Sequence, residues 1–213
     1  MVLDLIKNDI EKILDKNALL MVLMAFIFTL IPVLVGESAR NNDIIMQILK
    51  SDGLVMMFII FAIELAKSTI VNDKISKRIE FILANGVSKN KIIINYLTSL
   101  YFSTLIILAP SIVLSMYTMS LSIYLIFNTL ITSLIYTLLI VYTILYITNM
   151  NKINSLQISL AVLHMIVLSM SYISCMFTNI IVLYFITKAL ILIALLILLG
   201  ISTKNERIVT TYY

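Results

Sequence analysis

This sequence has little of what a soluble or catalytic protein usually carries. Among its 213 residues are one cysteine, one histidine, two prolines, four glycines and no tryptophan, and only 12% are charged. The single cysteine, Cys175, excludes an internal disulfide and a cysteine-based metal site. None of the glycines, Gly36, Gly53, Gly86 and Gly200, begins a G-x-x-x-x-G-K-[ST] phosphate-binding loop, so ATP hydrolysis by this chain is not expected. H-E-x-x-H, G-x-S-x-G and paired aspartates inside apolar runs are also missing, which disfavours an intramembrane enzyme. The scarcity of charge excludes an ordinary soluble domain. The net charge of +4 is modest, and the basic residues flank apolar runs instead of forming a patch with stacking aromatics. Nucleic-acid binding is therefore not expected.

What is present is apolar length. Hydrophobic residues make up 62% of the chain. They fall into six runs, at about 18–36, 54–71, 92–116, 121–147, 158–176 and 180–200. Each approaches the roughly 20 residues that a helix needs to cross a bilayer. Residues 1–17 read instead as an amphipathic helix. Leu3, Ile6, Ile10, Ile13 and Leu14 share one arc, opposite Asp4, Asn8, Glu11, Lys12 and Asp15. Such a helix suits the membrane interface, and its length and mixed charge disfavour a cleavable signal peptide. With the amino terminus inside, cytoplasmic segments hold twelve bases and external ones two, Arg40 and Lys50. That bias predicts an all-α integral membrane protein of six spans with both termini cytoplasmic. Frequent Ile, Asn and Lys point to an AT-rich bacterial genome, hence to the bacterial cytoplasmic membrane.

One polar stretch stands out, Asp73 to Ile94, DKISKRIEFILANGVSKNKIII. Lys67, Lys74, Lys77, Arg78, Lys89 and Lys91 crowd in and beside it. Ile79, Ile82 and Leu83 recur at helical spacing with Lys77 and Glu80 off that face, the pattern of a short amphipathic helix. Gly86 is placed to stop it, and Ser88 to cap the helix that follows. A solvated loop that only sets orientation has the same composition.

The order of residues resembles the cytoplasmic coupling segment of the type-2 permease family of ATP-binding-cassette (ABC) exporters. That pattern runs through an acidic-basic pair, Gly-Thr-Leu-Glu, an apolar pair, a break with Pro, and Val-Ser-Arg. Here Asp73-Lys74, Ile79-Glu80, Ile82-Leu83 and Val87-Ser88-Lys89 take the corresponding places. Lys77-Arg78 stand where Gly-Thr is usual, Gly86 where Pro is usual and Tyr96 where a Lys is common. The resemblance implies a cytoplasmic coupling helix over 73–88 that meets the ATPase through Asp73, Lys74, Lys77, Arg78, Glu80, Val87, Ser88 and Lys89. It implies a dimer of permease subunits, homo- or heteromeric, with two copies of a separate ABC ATPase below. ATP would then be bound by the partner, with no cofactor on this chain.

Polar residues inside the runs complete the inventory. Ser99 with Ser103, Ser111 with Ser115, and Thr129, Ser133 and Thr137 recur every four residues, as helix-packing hydroxyls do. His164 lies in the middle of the fifth run, where a packing or hydrogen-bonding role is commoner than a ligand role. Glu64 and Lys188 fall roughly 15 Å and 12 Å below the outer ends of their runs, at 1.5 Å per residue. They either pair and line or gate a substrate path, or Lys188 snorkels outward and Glu64 faces a wet cavity. The expected function is the transmembrane subunit of an exporter that removes, or gives immunity to, antimicrobial or hydrophobic peptides. A drug, lipid or ion exporter and a stand-alone immunity or assembly protein without an ATPase are the alternatives.

Overall fold

The computed structural model describes residue 10 and residues 16–34, 44–118, 121–149, 152–178 and 180–202. Most of the expected interfacial helix at 1–17, the first part of the expected loop after the first run (through residue 43) and the tail beyond residue 202 lie outside these. The described chain is all-helical apart from short turns. Its helices are α1 (Lys16–Leu34), α2 (Ile44–Ala66), a π-helical turn (Lys67–Val71), α3 (Asn72–Ile75), α4 (Arg78–Ala84), α5 (Lys89–Thr118), α6 (Ile123–Tyr146), α7 (Ile153–Thr178) and α8 (Ile181–Ser202).

Among the described residues five stretches are long and apolar enough to cross a membrane: Ile44–Ile75, Lys89–Tyr117, Ile123–Tyr146, Ile153–Thr178 and Ile181–Gly200. A shorter apolar stretch, Ala18–Leu30, lies within α1. The architecture is thus that of a multi-pass membrane protein. α5 and α7 extend past the expected limits at both ends, α6 falls inside its expected limits, and α8 starts one residue late and runs on to Ser202. The largest difference is in the second run. The helix begins at Ile44, ten residues before the expected Leu54, and continues through the π turn for 32 residues. Such a helix is about 48 Å long, more than the ~30 Å hydrocarbon core requires. Lys50, Ser51, Asp52 and Gly53, expected in a loop, are therefore helical.

Two compact units form. The first comprises Met1–Leu65 and Ile94–Thr137. Its core takes Val55, Phe58, Ile59, Ala62 and Ile63 from α2, Leu100, Ile107 and Leu108 from α5, and Leu125 and Tyr136 from α6. In lipid the apolar effect does not drive helices together, so close packing and hydrogen bonds hold them. Ser51 Oγ and Thr129 Oγ1 stand 2.7 Å apart, the Tyr101 hydroxyl donates to the Leu130 carbonyl at 3.1 Å, and the Phe58 and Tyr101 rings pack at 5.9 Å. Each interhelical hydrogen bond of this kind contributes about 0.6 kcal/mol. The hydroxyls of Thr104, Ser115, Thr129 and Thr137 turn back to the carbonyl four residues earlier, which satisfies them inside their own helix.

The second unit comprises Ala66–Ile93 and Leu138–Tyr213. α7 and α8 form its helical hairpin. Ile153, Leu156, Leu160, His164, Val167 and Ser171 are buried along α7 at three- and four-residue spacing. Tyr184, Lys188 and Leu192 are buried along α8, each four residues from the next. Ser174 and Thr187 hydroxyls meet at 3.0 Å, and the Tyr172 and Tyr184 rings at 5.0 Å.

Candidate functional site

The polar segment between α2 and α5 is built from local backbone rules. Ala62, Ala66, Ile70 and Lys74 are all buried at four-residue steps. On an α-helix each such step drifts by about 40°, since 3.6 residues make a turn. The wider π turn at Lys67–Val71 offsets that drift and keeps Lys74 on the buried face. α3 then ends at once. Ser76 closes it, the Ser76 amide donates to the Asn72 carbonyl, and Lys77 adopts φ 59°, the left-handed conformation. A left-handed residue after a helix is commonly Gly, because a Cβ crowds the carbonyl there.

α4 follows with the expected two faces. Ile79 is fully buried, Ile82 and Leu83 are half-buried, and Glu80, Phe81 and Ala84 are exposed. Its end is a Schellman turn: the Val87 amide donates to the Ile82 carbonyl and the Gly86 amide to the Leu83 carbonyl. Gly86 takes φ 80°, so it stops the helix as its position in the sequence predicts. The Ser88 carbonyl accepts the amides of Lys91 and Ile92, which places Ser88 at the start of α5. Val87 is half-buried beside this turn.

The charged residues of the segment do not share one surface. Arg78 Nη1 contacts both carboxylate oxygens of Asp73, bridging the left-handed turn. Lys74 is only 2% exposed. Its ammonium donates to the carbonyls of Leu145 and Ile147 at 2.6 Å each and of Ile144 at 3.4 Å. The Lys89 ammonium lies 5.4 Å from the centre of the Tyr146 ring, which stacks on Tyr142. Lys77 and Glu80 remain exposed. The acidic-basic pair of the sequence pattern thus divides, Asp73 toward Arg78 and Lys74 toward the end of α6.

Glu64, His164 and Lys188, singled out within the apolar runs, lie on three different helices. Glu64 lies on an exposed side of α2 in the first unit. His164 is fully buried on α7 in the second, and Lys188 is 2% exposed on α8, its ammonium 5.5 Å from the Tyr184 ring centre. Among the described residues no group of three His, Cys, Asp or Glu side chains is arranged to hold a metal.

Two residues stand out in the fold that their sequence context does not mark. Asp52 is 1% exposed within α2. The signal for it was the continuation of apolar spacing upstream through Ile44, Ile45 and Ile48. Phe81, 70% exposed, is the largest apolar side chain on the outer face of α4. No protein-family model, curated protein or solved structure matches the chain.

Proposed function

We propose that the chain is the transmembrane subunit of an ABC exporter of the type-2 permease kind, driven by a separate ATPase. The observation that carries this reading is the outer face of α4, where Glu80 and Phe81 are exposed on a short helix fixed between two turns. A solvated loop that only sets orientation has no need to hold an aromatic ring outward on a braced helix. A second feature supports the same reading. Lys77, at the position where the resembled pattern keeps Gly, has the left-handed conformation that favours Gly. The local backbone therefore suits the family's pattern even where the residue departs from it.

In this reading α4 is the coupling helix. Two ATPase copies dock on the cytoplasmic side of a permease dimer and close around ATP, and α4 receives their movement. Six spans cross the bacterial cytoplasmic membrane with both termini inside, and the cargo is an antimicrobial or hydrophobic peptide. Topology tests the frame of the proposal. In a Cys175→Ser background, Asn41→Cys should react with an impermeant maleimide in intact cells and Ser76→Cys should not. Reversed labelling would put α4 outside the cell, beyond reach of any ATPase, and end the reading.

A further inference from the structure

The last carbonyls of an α-helix have no partner within the helix and carry its negative dipole end. At the end of α6 the Thr143 carbonyl still accepts the Ile147 amide. The carbonyls of Ile144 and Leu145 belong to its last turn, where no further turn of helix follows to supply donors, and Ile147 lies just beyond it. The Lys74 ammonium fills that position. Its three N–H donors match three carbonyls, those of Ile144, Leu145 and Ile147. Burying an ammonium among apolar groups is unfavourable unless its donors are satisfied, and here the acceptors are dipoles already aimed at it.

The surroundings repeat the attachment. Lys89, from the other end of the segment, covers the Tyr146 ring in the last turn of α6. Leu83 of α4 shares a small apolar recess with Lys89, Ile92, Ile93 and Leu145. The π turn at Lys67–Val71 keeps Lys74 aimed inward. From these contacts we infer that Lys74 is a positioning residue that clasps the 67–93 segment to the carboxyl end of α6. α4 and the end of α6 then move as one body. The consequence for transport rests on the proposed function: a push on α4 reaches a membrane helix directly through the clasp. The clasp itself stands without an ATPase.

The test uses the full chain in lipid nanodiscs, wild type beside Lys74→Met and Lys74→Arg, read by hydrogen–deuterium exchange. Lys74→Met keeps the stem and removes the donors. It should speed exchange of the amides at 144–147 and 76–77 by at least about tenfold, since hydrogen bonds to charged groups are lost. Amides of α7 and α8 should not change. Lys74→Arg should restore most of the protection, because a guanidinium also donates to carbonyls. A merely volume-filling lysine predicts no loss on Lys74→Met and no rescue by Arg.

Should Lys74→Met fail to fold, acetylation of the wild-type chain decides. Lys74 should react at least about tenfold more slowly than exposed Lys77 and Lys91, its donors being engaged. Unchanged exchange at 144–147, an equal rise throughout the chain, or Lys74 acetylated as fast as Lys77 overturns the clasp. A clasp that passes in a chain that binds no ATPase leaves the inference standing and removes the transport reading alone.

Discussion

Arg78 Nη1 stands 3.1 Å from Oδ1 and 3.2 Å from Oδ2 of Asp73, so one guanidinium nitrogen spans the left-handed turn between α3 and α4. The pair is partly open to solvent, with side chains 38% and 18% exposed for Arg78 and Asp73. Its coupling energy should therefore be small, about 0.2–1 kcal/mol, and should shrink with salt. A double-mutant cycle of Asp73→Asn and Arg78→Gln, followed by thermal unfolding in detergent, measures it. A coupling of several kcal/mol would mean that the turn is the principal brace of α4, in place of the Ile79 side chain and the Lys74 contacts.

The turn itself is strained at Lys77. Lys77→Gly should be neutral or stabilising by up to about 1 kcal/mol, since a left-handed non-glycine residue costs roughly 1–2 kcal/mol and glycine returns part of that in chain entropy. Gly86→Ala, also at positive φ, should destabilise by about 1 kcal/mol although the space there is open. Unfolding midpoints of the two variants should move apart. Movement in the same direction would contradict the backbone assignment.

Glu80 and Phe81 should behave as partner-facing residues. Both are exposed, so Glu80→Lys and Phe81→Ala should change the stability of the isolated protein by less than about 0.5 kcal/mol. Each should sharply reduce co-purification of the ATPase, Phe81→Ala through loss of an aromatic anchor. Normal ATPase binding by both variants would take α4 out of the docking surface.

Much of this arrangement is legible in the sequence, for identifiable reasons. Hydropathy finds the long helices because each is apolar around most of its circumference. Gly86 announces the end of α4, because a Schellman turn needs a residue that tolerates positive φ. Ile79, Ile82 and Leu83 reveal the inner face of α4 by spacing alone. Lys74 could not be read the same way. Its burial depends on carbonyls about seventy residues away, and its composition resembles that of exposed Lys77. Asp52 was hidden by Lys50, Ser51 and Gly53, which look like a loop but continue the helix from Ile44. The π turn leaves no mark in composition, since it adjusts pitch rather than residue type.

Glu64 and Lys188 are ionisable residues within long apolar helices, and such a residue costs on the order of 2.5–3.5 kcal/mol near a bilayer centre. With α2 starting at Ile44 instead of Leu54, Glu64 lies farther along its helix than the depth expected from the sequence. On the proposed exporter reading the two residues line or gate the substrate path. Glu64→Gln and Lys188→Met should each lower expression or peptide export. If the two side chains pair, within one subunit or across the dimer, the exchange Glu64→Lys with Lys188→Glu should recover part of the loss. An exchange variant no better than the worse single variant would show that they act separately.

The central claim is that this chain carries cargo for an ATPase it does not contain. It is tested most directly by co-expressing it with an ABC ATPase encoded beside it, purifying the complex and following ATP hydrolysis in proteoliposomes. The account predicts a stable complex of two ATPase and two permease chains whose hydrolysis rises on adding a hydrophobic antimicrobial peptide and falls with Glu80→Lys. An ATPase that does not co-purify, in cells that this chain alone protects from the peptide, would contradict it.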